Sequence, residues 1–217
     1  VETYRTGFAV IESPLDVSEA FEPSRIDHGA ESWVFTSATI TQARKFDHFK
    51  DELGLGAAKE LLLDSPFDYQ QQSLMYVPRD LPDPRNPAYS ESGFEKLLPV
   101  IKANKGGTFI LFTSYYALNK VRDLFEGHLD KEQLLLIQGE RPKNELIEAF
   151  RDKGNAILLA TSSFWEGVDV KGSALSLVII DKLPFAAPDE PLIEAKVQSM
   201  RKKGKNPFFE MQIPEAI

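Results

Sequence analysis

The second half of the sequence alternates short apolar blocks with helical patterns, and this alternation constrains the fold more than any other feature. The blocks are continuously apolar, which is typical of strands that are buried on both faces. Short loops separate them, and this favours right-handed crossovers and a parallel sheet with helices on both faces. The sequence therefore predicts an α/β fold. The predicted strands are 108–112, 134–137, 156–160 and 176–181, and the predicted helices are 92–103, 115–128, 142–151, a short one near Phe164, and 191–203.

The first part of the sequence is less regular. Thr41 is predicted to cap a helix whose apolar residues recur every three or four positions and which closes at Gly54. Four prolines between residues 78 and 87 indicate an extended surface connection to the regular half. Strands are predicted over 33–36, 60–63 and 73–77, and a short helix is predicted over 17–21.

The composition excludes several kinds of site. The 217 residues contain no cysteine, so this chain can form no disulfide and no thiolate-bound metal site, which is compatible with a reducing cytoplasm. No apolar run approaches the ~20 residues of a membrane span, and no signal-type segment is present. The net charge of −8 and the pI near 5.0 oppose indiscriminate binding to nucleic acid. Any such contact must be local, through hydroxyls, amides and a few cations.

Small polar side chains follow each predicted strand. Because binding residues of a parallel sheet collect where its strands end, we expect these side chains to line one surface. They include no histidine or cysteine, which suits recognition of a phosphate backbone better than acid–base chemistry or metal binding. Each of them taken alone also fits a helix cap or a tight turn. The residues are Thr113, Ser114, Gln138, Gly139, Thr161, Ser162, Ser163 and Asp181.

The stretch from Ala160 to Gly172 combines two kinds of polar group a few residues apart. Hydroxyls and free backbone N–H groups at a strand-to-helix turn can bind a phosphate. The carboxylates of Glu166 and Asp169 are better suited to a ribose hydroxyl or an arginine. The alternative interpretation is an ordinary turn with a serine cap, a glycine bend and acidic residues facing water.

Five segments carry a resemblance to a known family: SAT at 37–39, ILFTS at 110–114, IQGE at 137–140, TSSFWEGVDVKG at 161–172 and IIDKLPFAAPDEP at 179–191. In order and spacing they resemble motifs III, IV, IVa, V and the segment after V in the XPD/DinG-like branch of superfamily 2 helicases. The resemblance covers the sequence from Val34 onward. It implies the RecA-like second motor domain of an ATP-driven 5′-to-3′ DNA helicase in DNA repair.

The resemblance also implies a role for each matching residue. Ser37 and Thr39 would couple the nucleotide state to the cleft between the motor domains. Glu166, Gly167 and Asp169 would face the ATP ribose and the arginines of that cleft. Structural capping remains the alternative for all of these positions. The phosphates of one DNA strand would be held by Thr113, Ser114, Gln138, Gly139, Ser162 and Ser163.

The sequence departs from the full family pattern in several ways. It contains no G-x-x-x-x-G-K-[ST] phosphate loop and no D-E-A-H box. Motif VI, with its arginine finger, would be expected just beyond residue 217. We therefore expect residues 1–40 to be the end of the first motor domain, closing with motif III. Residues 41–217 would be the second motor domain, truncated before motif VI.

These expectations define the cofactors and partners. ATP and Mg²⁺ would act in the parent enzyme, and any iron–sulfur cluster of the parent would lie outside this cysteine-free chain. The partners would be single-stranded DNA and the first motor domain of the same protein. The alternatives are a self-contained α/β nucleotide-binding module and an interaction domain that uses the proline-rich segment. Trp165 is predicted to pack the motif V turn against the domain.

Overall fold

The computed structural model describes residues 2–4, 6–27, 32–130, 132–165, 167–170, 172–187 and 190–216. The chain forms two compact units. The sheet unit is Met75–Pro184, and the second unit combines Val1–Leu74 with Phe185–Ile217.

The strands are β1 (Glu2–Tyr4), β2 (Gly7–Ala9), β3 (Thr108–Leu111), β4 (Leu135–Ile137), β5 (Ile157–Ala160) and β6 (Leu177–Ile180). The α-helices are α1 (Val17–Asp27), α2 (Asp47–Leu53), α3 (Tyr69–Gln72), α4 (Tyr89–Ala103), α5 (Tyr115–Leu124), α6 (Lys143–Lys153), α7 (Pro191–Lys202) and α8 (Ile213–Ala216). Short 3₁₀ turns occur at Ser162–Phe164 and Gly172–Ala174, and a π-helical turn at Phe208–Gln212 precedes α8. In the described ranges, no helix has the length and apolar character that crossing a membrane requires.

Strands β3 to β6 form one parallel sheet in the order β4-β5-β3-β6. The central pair aligns Ile110 with Leu159, and the β3–β6 pair aligns Ile110 with Ile179. The chain leaves each strand at the same edge because the strands are parallel. We call this edge the carboxyl edge and the opposite one the amino edge.

Helices cover both faces of the sheet, because successive side chains of a buried strand point to opposite faces. One face packs against α4 and α5, and the other packs against α6. Phe94 of α4 contacts Phe125 with ring centres 4.9 Å apart on the first face, and Phe109 contacts Phe150 of α6 at 4.7 Å on the second. The predicted α/β class, with a parallel sheet and helices on both faces, is confirmed.

The boundaries in the regular half agree closely with the sequence prediction. Helix α4 begins three residues before the predicted start, at Tyr89. The predicted helix 115–128 ends earlier, at Leu124, and its last residues form turns. Gly154 ends α6 and Gly54 ends α2, both in the left-handed conformation that glycine adopts without strain.

The second unit holds the antiparallel hairpin β1–β2 and helices α1, α2, α3, α7 and α8. Its aromatic side chains form a cluster. Phe21 of α1 lies 6.0 Å, ring centre to ring centre, from both Trp33 and Phe35. Phe35 in turn contacts Phe49 of α2 at 5.6 Å. These contacts fix the otherwise irregular segment around residues 33–36.

Several predictions for the first part of the chain are wrong. Segments 33–36, 60–63 and 73–77 are irregular rather than strands. A strand needs a neighbour for its backbone N–H and C=O groups, and an apolar run alone does not supply one. Leu61 is 77% exposed and Leu74 is 93% exposed, so the last two segments also lack a core to cover.

Thr41 does not cap a helix. The chain instead makes a tight turn in which the backbones of Gln42 and Lys45 hydrogen-bond to each other at 2.9 and 3.0 Å. Ala43 and Arg44 take left-handed conformations at the centre of this turn. Helix α2 therefore begins only at residue 47.

The side chain of Asn104 closes the amino edge of the sheet. Its Nδ2 donates to the carbonyl oxygen of Gly106 at 2.9 Å and lies 3.1 Å from Thr108 Oγ1. Its Oδ1 accepts from the hydroxyl of Ser176 at 2.7 Å. We call Asn104, Gly106, Thr108 and Ser176 the amino-edge network.

Gly107, next to this network, is required by close packing. A Cβ atom at Gly107 would overlap the carbonyl oxygen of Ala174 and the ring of Phe150. The loop before β3 can therefore approach the loop before β6 only because the side chain is absent.

Candidate nucleic-acid interface

The side chain of Gln138 joins polar groups from three elements at the carboxyl edge. Gln138 directly follows β4, Thr161 directly follows β5, and Tyr115 is the first residue of α5. Ser163 lies in the 3₁₀ turn after β5. We call Gln138, Tyr115, Thr161 and Ser163 the carboxyl-edge network. The sheet order brings them together, since β5 lies between β4 and β3.

Four hydrogen bonds hold this network. Gln138 Oε1 accepts from the backbone N–H of Thr161 at 2.6 Å and from its hydroxyl at 3.1 Å. Gln138 Nε2 donates to Tyr115 Oη at 2.7 Å and to Ser163 Oγ at 2.9 Å. The backbone N–H of Gln138 also donates to the carbonyl oxygen of Leu159, which fixes the start of the loop after β4.

Lys143, in the first turn of α6, places a cation beside the network. Its ammonium donates to the carbonyl oxygen of Ser163 and lies 5.1 Å from the centre of the Phe164 ring. Phe164 is buried in the core between the sheet and α6, so its side chain anchors the 3₁₀ turn to that core. The hydroxyl-bearing residues Ser162 and Ser163 remain exposed on its outer side.

The end of β3 contributes Thr113 and Ser114, both exposed. The hydroxyl of Ser114 accepts from the backbone N–H of Ala117 at 3.2 Å and so caps α5. As an acceptor in that bond, the hydroxyl keeps its own hydrogen for another partner. Gly139 is exposed at a φ of 100°, a conformation that a residue with a side chain would adopt only with strain.

The second half of the turn carries Gly167 and Asp169, both exposed. Gly167 has a φ of 66°. Arg151 of α6 donates to the backbone carbonyl of Asp169 and ties this turn to the sheet unit. Trp165 packs against the same core as Phe164, as predicted. The predicted site residue Glu166 lies outside the described residues.

Ser37 and Thr39 belong to the second unit. The Ser37 hydroxyl accepts from the backbone N–H of Thr39 at 3.1 Å, and the two hydroxyl oxygens are 3.3 Å apart. Both residues are exposed in an irregular segment.

A separate cluster lies after β6. The hydroxyl of Tyr89 donates to the backbone carbonyl of Asp181 at 3.0 Å. Lys182 pairs with the Asp181 carboxylate and lies 4.9 Å from the centre of the Tyr89 ring. Burial and the negative charge of Asp181 raise the pKa of Tyr89 above its usual value, so its hydroxyl stays protonated and keeps donating.

The described residues include no group of three or more histidine, aspartate and glutamate side chains positioned to hold a metal ion. The donors of the carboxyl-edge network are hydroxyls and an amide, and the ammonium of Lys143 lies beside them. Such groups bind anions or neutral polar ligands rather than cations.

Sequence reasoning did not single out Tyr115 or Lys143. Tyr115 follows the predicted residue Ser114 directly, but the strand-end pattern selected only small polar side chains. Lys143 begins the helix after β4, and only the structure shows that this helix start lies beside the turn after β5.

Comparison with known proteins agrees with this architecture. The family described as "Helicase C-terminal domain" matches residues 97–217. Over 206 residues the chain is 48% identical to the ATP-dependent DNA helicase YoaA of Haemophilus influenzae, covering 94% of this chain and 32% of that protein. Over 210 residues it is 43% identical to the ATP-dependent DNA helicase YoaA of Escherichia coli (strain K12), covering 97% of this chain and 32% of that protein.

A more distant relative carries a different name. The chain is 32% identical over 222 residues to the "3′-5′ exonuclease DinG" of Bacillus subtilis (strain 168), covering 98% of this chain and 24% of that protein. The chain thus spans a third or less of the length of these three relatives.

The family match covers more than half of the sequence, including all four strands of the parallel sheet and the whole carboxyl-edge network. The covered sheet has the RecA-like arrangement that the five sequence motifs imply. The chain belongs to the helicase C-terminal domain family.

Proposed function

We propose that this chain is the second motor domain of an ATP-dependent DNA helicase and that its carboxyl edge holds the phosphates of one DNA strand. The carboxyl-edge network is the observation that carries this proposal. It gathers hydroxyl groups from two elements onto one exposed surface and places Lys143 beside them. The family match and the names of the two YoaA relatives support the same activity.

The predicted site residues divide between two tasks in this proposal. The ATP cleft and coupling fall to Glu166, Gly167 and Asp169. Coupling by motif III falls to Ser37 and Thr39. Residues 1–40 end the first motor domain, and residues 41–217 form the second. The residues that contact DNA at the carboxyl edge, where Gln138 also lies, are Thr113, Ser114, Gly139, Ser162 and Ser163.

The parent enzyme works in the cytoplasm in DNA repair, moves 5′-to-3′, and uses ATP with Mg²⁺. This chain's residues fit only the outer part of a nucleotide site, because the sequence lacks a phosphate loop. We therefore assign no catalytic step to them. The exonuclease activity in the name of the Bacillus subtilis relative is said of a protein of which this chain covers 24%.

DNA binding by this chain should be weak and strongly dependent on salt. A net charge of −8 repels the backbone as a whole, so attraction depends on the few donors of the carboxyl edge. Binding should weaken sharply between about 50 and about 200 mM salt, because each neutralised phosphate releases counterions. Fluorescence anisotropy with a labelled oligothymidylate measures this directly.

A matched pair of double variants tests the surface. Thr113→Ala/Gln138→Ala changes a hydroxyl and an amide at the carboxyl edge, and we expect it to weaken binding about tenfold or more. Ser173→Ala/Gln133→Ala changes the same kinds of group near the amino edge and should leave binding unchanged. Equal effects of the two double variants would contradict the proposal.

The chain alone should not hydrolyse ATP, since it lacks the loop that holds the β- and γ-phosphates. A coupled ATPase assay with and without DNA measures this. Turnover that co-purifies with the chain through independent columns would overturn the expectation. The rival, a self-contained nucleotide-binding module, instead predicts tight ATP binding without DNA binding.

A further inference from the structure

We propose that Tyr115 and Ser163 form a two-hydroxyl donor site for one phosphodiester group, and that Gln138 is a positioning residue that aims them rather than a phosphate ligand. This inference rests on the proposed function and specifies how the surface contacts DNA. It also adds Tyr115, which the motif comparison did not include.

The orientation of the Gln138 amide follows from a single contact. A backbone N–H can only donate a hydrogen bond, and that of Thr161 lies 2.6 Å from one terminal atom of Gln138. That atom must therefore be the oxygen. The nitrogen then faces Tyr115 Oη and Ser163 Oγ.

The direction of the remaining bonds follows from this orientation. The Gln138 nitrogen has two hydrogens, and both are donated, one to each hydroxyl oxygen. The oxygen accepts twice from Thr161. An amide has two donors and two acceptor lone pairs, so every hydrogen-bonding position of Gln138 is used inside the protein. Gln138 has no donor left for a phosphate.

The two hydroxyls are left with their own hydrogens. Since Tyr115 and Ser163 each accept from Gln138, each O–H is free to donate in another direction. Accepting a hydrogen bond also polarises a hydroxyl and strengthens the bond that it donates. Tyr115 is 52% exposed and Ser163 is exposed, so both donors are open to a ligand.

The ligand that fits is an anion with two neighbouring acceptor oxygens. Both hydroxyls lie within hydrogen-bonding distance of one nitrogen, so they can reach the same small group. The ammonium of Lys143 donates to the carbonyl oxygen of Ser163 and so places a cation beside this site. A phosphodiester has two such non-bridging oxygens and a single negative charge, which matches two neutral donors and one nearby cation.

The central experiment removes only the hydroxyl. Tyr115→Phe keeps the ring, so a phosphate contact and stacking on a base make opposite predictions. We expect about a five- to tenfold loss in affinity for a fluorescent oligothymidylate. The loss should be the same on an abasic oligomer, which has phosphates but no bases. The slope of affinity against salt should not change, because no cation is removed.

The neighbouring tyrosine supplies the matched control. Tyr116 is 80% exposed on the same helical turn, and Tyr116→Phe should leave binding unchanged. A thermal melt of both variants checks that they stay folded. If Tyr116→Phe weakens binding as much as Tyr115→Phe, the site assignment is wrong.

A second variant tests the positioning role through the direction of the bonds. Gln138→Glu can still accept from Thr161 but cannot donate, so both hydroxyls would turn inward toward the carboxylate. We expect binding to fall more than in Tyr115→Phe, and we expect the added Tyr115→Phe change to have no further effect. Additive losses would mean that the tyrosine acts independently of Gln138 and would overturn the positioning role.

Two failures are distinguishable. If the unaltered chain binds no single-stranded DNA at low salt, the proposed function fails and this inference fails with it. If the unaltered chain binds and Tyr115→Phe binds equally well, only this inference fails. If inorganic phosphate at low concentration displaces the labelled oligomer as well as unlabelled oligomer does, the site is one for free anions. That result would also overturn the proposed phosphodiester site.

Discussion

Each edge of the parallel sheet holds a side-chain amide that hydrogen-bonds to hydroxyls, but only at the carboxyl edge are the hydroxyls that accept from the amide exposed, since Thr108, which accepts from Asn104 Nδ2, is buried. At the amino edge, Ser176 donates to Asn104, so its hydrogen is used inside the protein. At the carboxyl edge, Tyr115 and Ser163 accept from Gln138, so their hydrogens remain available to a ligand. Thr161 also donates to Gln138, so the two edges differ in the exposed hydroxyls of Tyr115 and Ser163.

This difference separates stability from binding. Asn104 is bonded to backbone carbonyl oxygens of its own loop, which has little freedom because Gly107 lies against Ala174 and Phe150. Gln138 bridges different elements, and two of its partners, Tyr115 and Ser163, are exposed. Substitutions at the amino edge should therefore affect folding, whereas substitutions at the carboxyl edge should affect mainly DNA binding.

The largest effect is expected from Gly107→Ala. The added methyl group would overlap a backbone carbonyl and the ring of Phe150, neither of which can move without disturbing the core. We expect the free energy of unfolding to fall by about 3 kcal/mol. Urea denaturation measures it.

Gly93→Ala is the matched control for this variant. Gly93 lies inside α4, and a Cβ atom there would meet no atom within 4 Å. Alanine should raise stability there by roughly 0.5–1 kcal/mol, because it favours the helix. Equal behaviour of the two variants would refute the close packing at the amino edge.

The next effect compares the two amides directly. Asn104→Ala should cost about 2 kcal/mol of stability, because it leaves the buried Thr108 hydroxyl and the carbonyl oxygen of buried Gly107 without their donor. DNA affinity of the folded fraction should not change. Gln138→Ala should cost about 1 kcal/mol, since Tyr115 and Ser163 are exposed and can bond to water instead, and should weaken DNA binding severalfold. Denaturant melts and anisotropy titrations of both variants test this. A larger loss of stability in Gln138→Ala, or a larger loss of DNA affinity in Asn104→Ala, would contradict the account.

The two ends of α6 give a smaller comparison. Lys143 lies at the carboxyl edge, and Lys153 ends the same helix toward the amino edge. Lys143→Gln should reduce the salt slope of single-strand binding by roughly 0.7, as expected for one phosphate contact. Lys153→Gln, with the same change in net charge, should alter it little. Identical slopes for the two variants would mean that only net charge matters.

The smallest effect concerns Tyr89, a carboxyl-edge tyrosine whose hydroxyl is turned inward to Asp181. Its pKa is raised by burial and by the Asp181 charge. Above about pH 10 the unfolded chain loses the Tyr89 proton while the folded chain still holds it. The free energy of unfolding therefore falls as the pH rises from the pKa of the unfolded state through that of the folded state. Tyr89→Phe should flatten this alkaline decline without weakening DNA binding. If the unfolding free energy of Tyr89→Phe declines with alkaline pH as steeply as that of the unaltered chain, this role of Tyr89 is contradicted.

The regular half of the fold could be predicted from the sequence because its signals are local. Continuous apolar blocks and short loops specify a parallel sheet whatever lies around it. The irregular half could not be predicted in the same way. Segments 33–36, 60–63 and 73–77 are apolar, but whether such a run becomes a strand depends on a pairing partner elsewhere in the chain.

For the candidate site, the sequence predicts which residues share an edge of the sheet but not the directions of their hydrogen bonds. Strand ends located Gln138 and Ser163, because parallel strands bring their ends to one edge. The sheet order then decides which of these ends touch, and a strand-to-helix pattern does not encode that order. The direction of the hydrogen bonds depends on one distance, from Gln138 to the backbone of Thr161, so the role proposed for Tyr115 could not be inferred from the sequence.

The central claim is that DNA contacts the carboxyl edge and leaves the amino edge untouched. An NMR titration of the isotope-labelled chain with oligothymidylate at low salt tests it most directly. We expect backbone amide shifts at residues 113–115, 138–139 and 161–163 that saturate with one affinity, while amides at 104–108 and 173–176 stay in place. Saturable shifts concentrated at the amino edge, or none at either edge, would contradict the account.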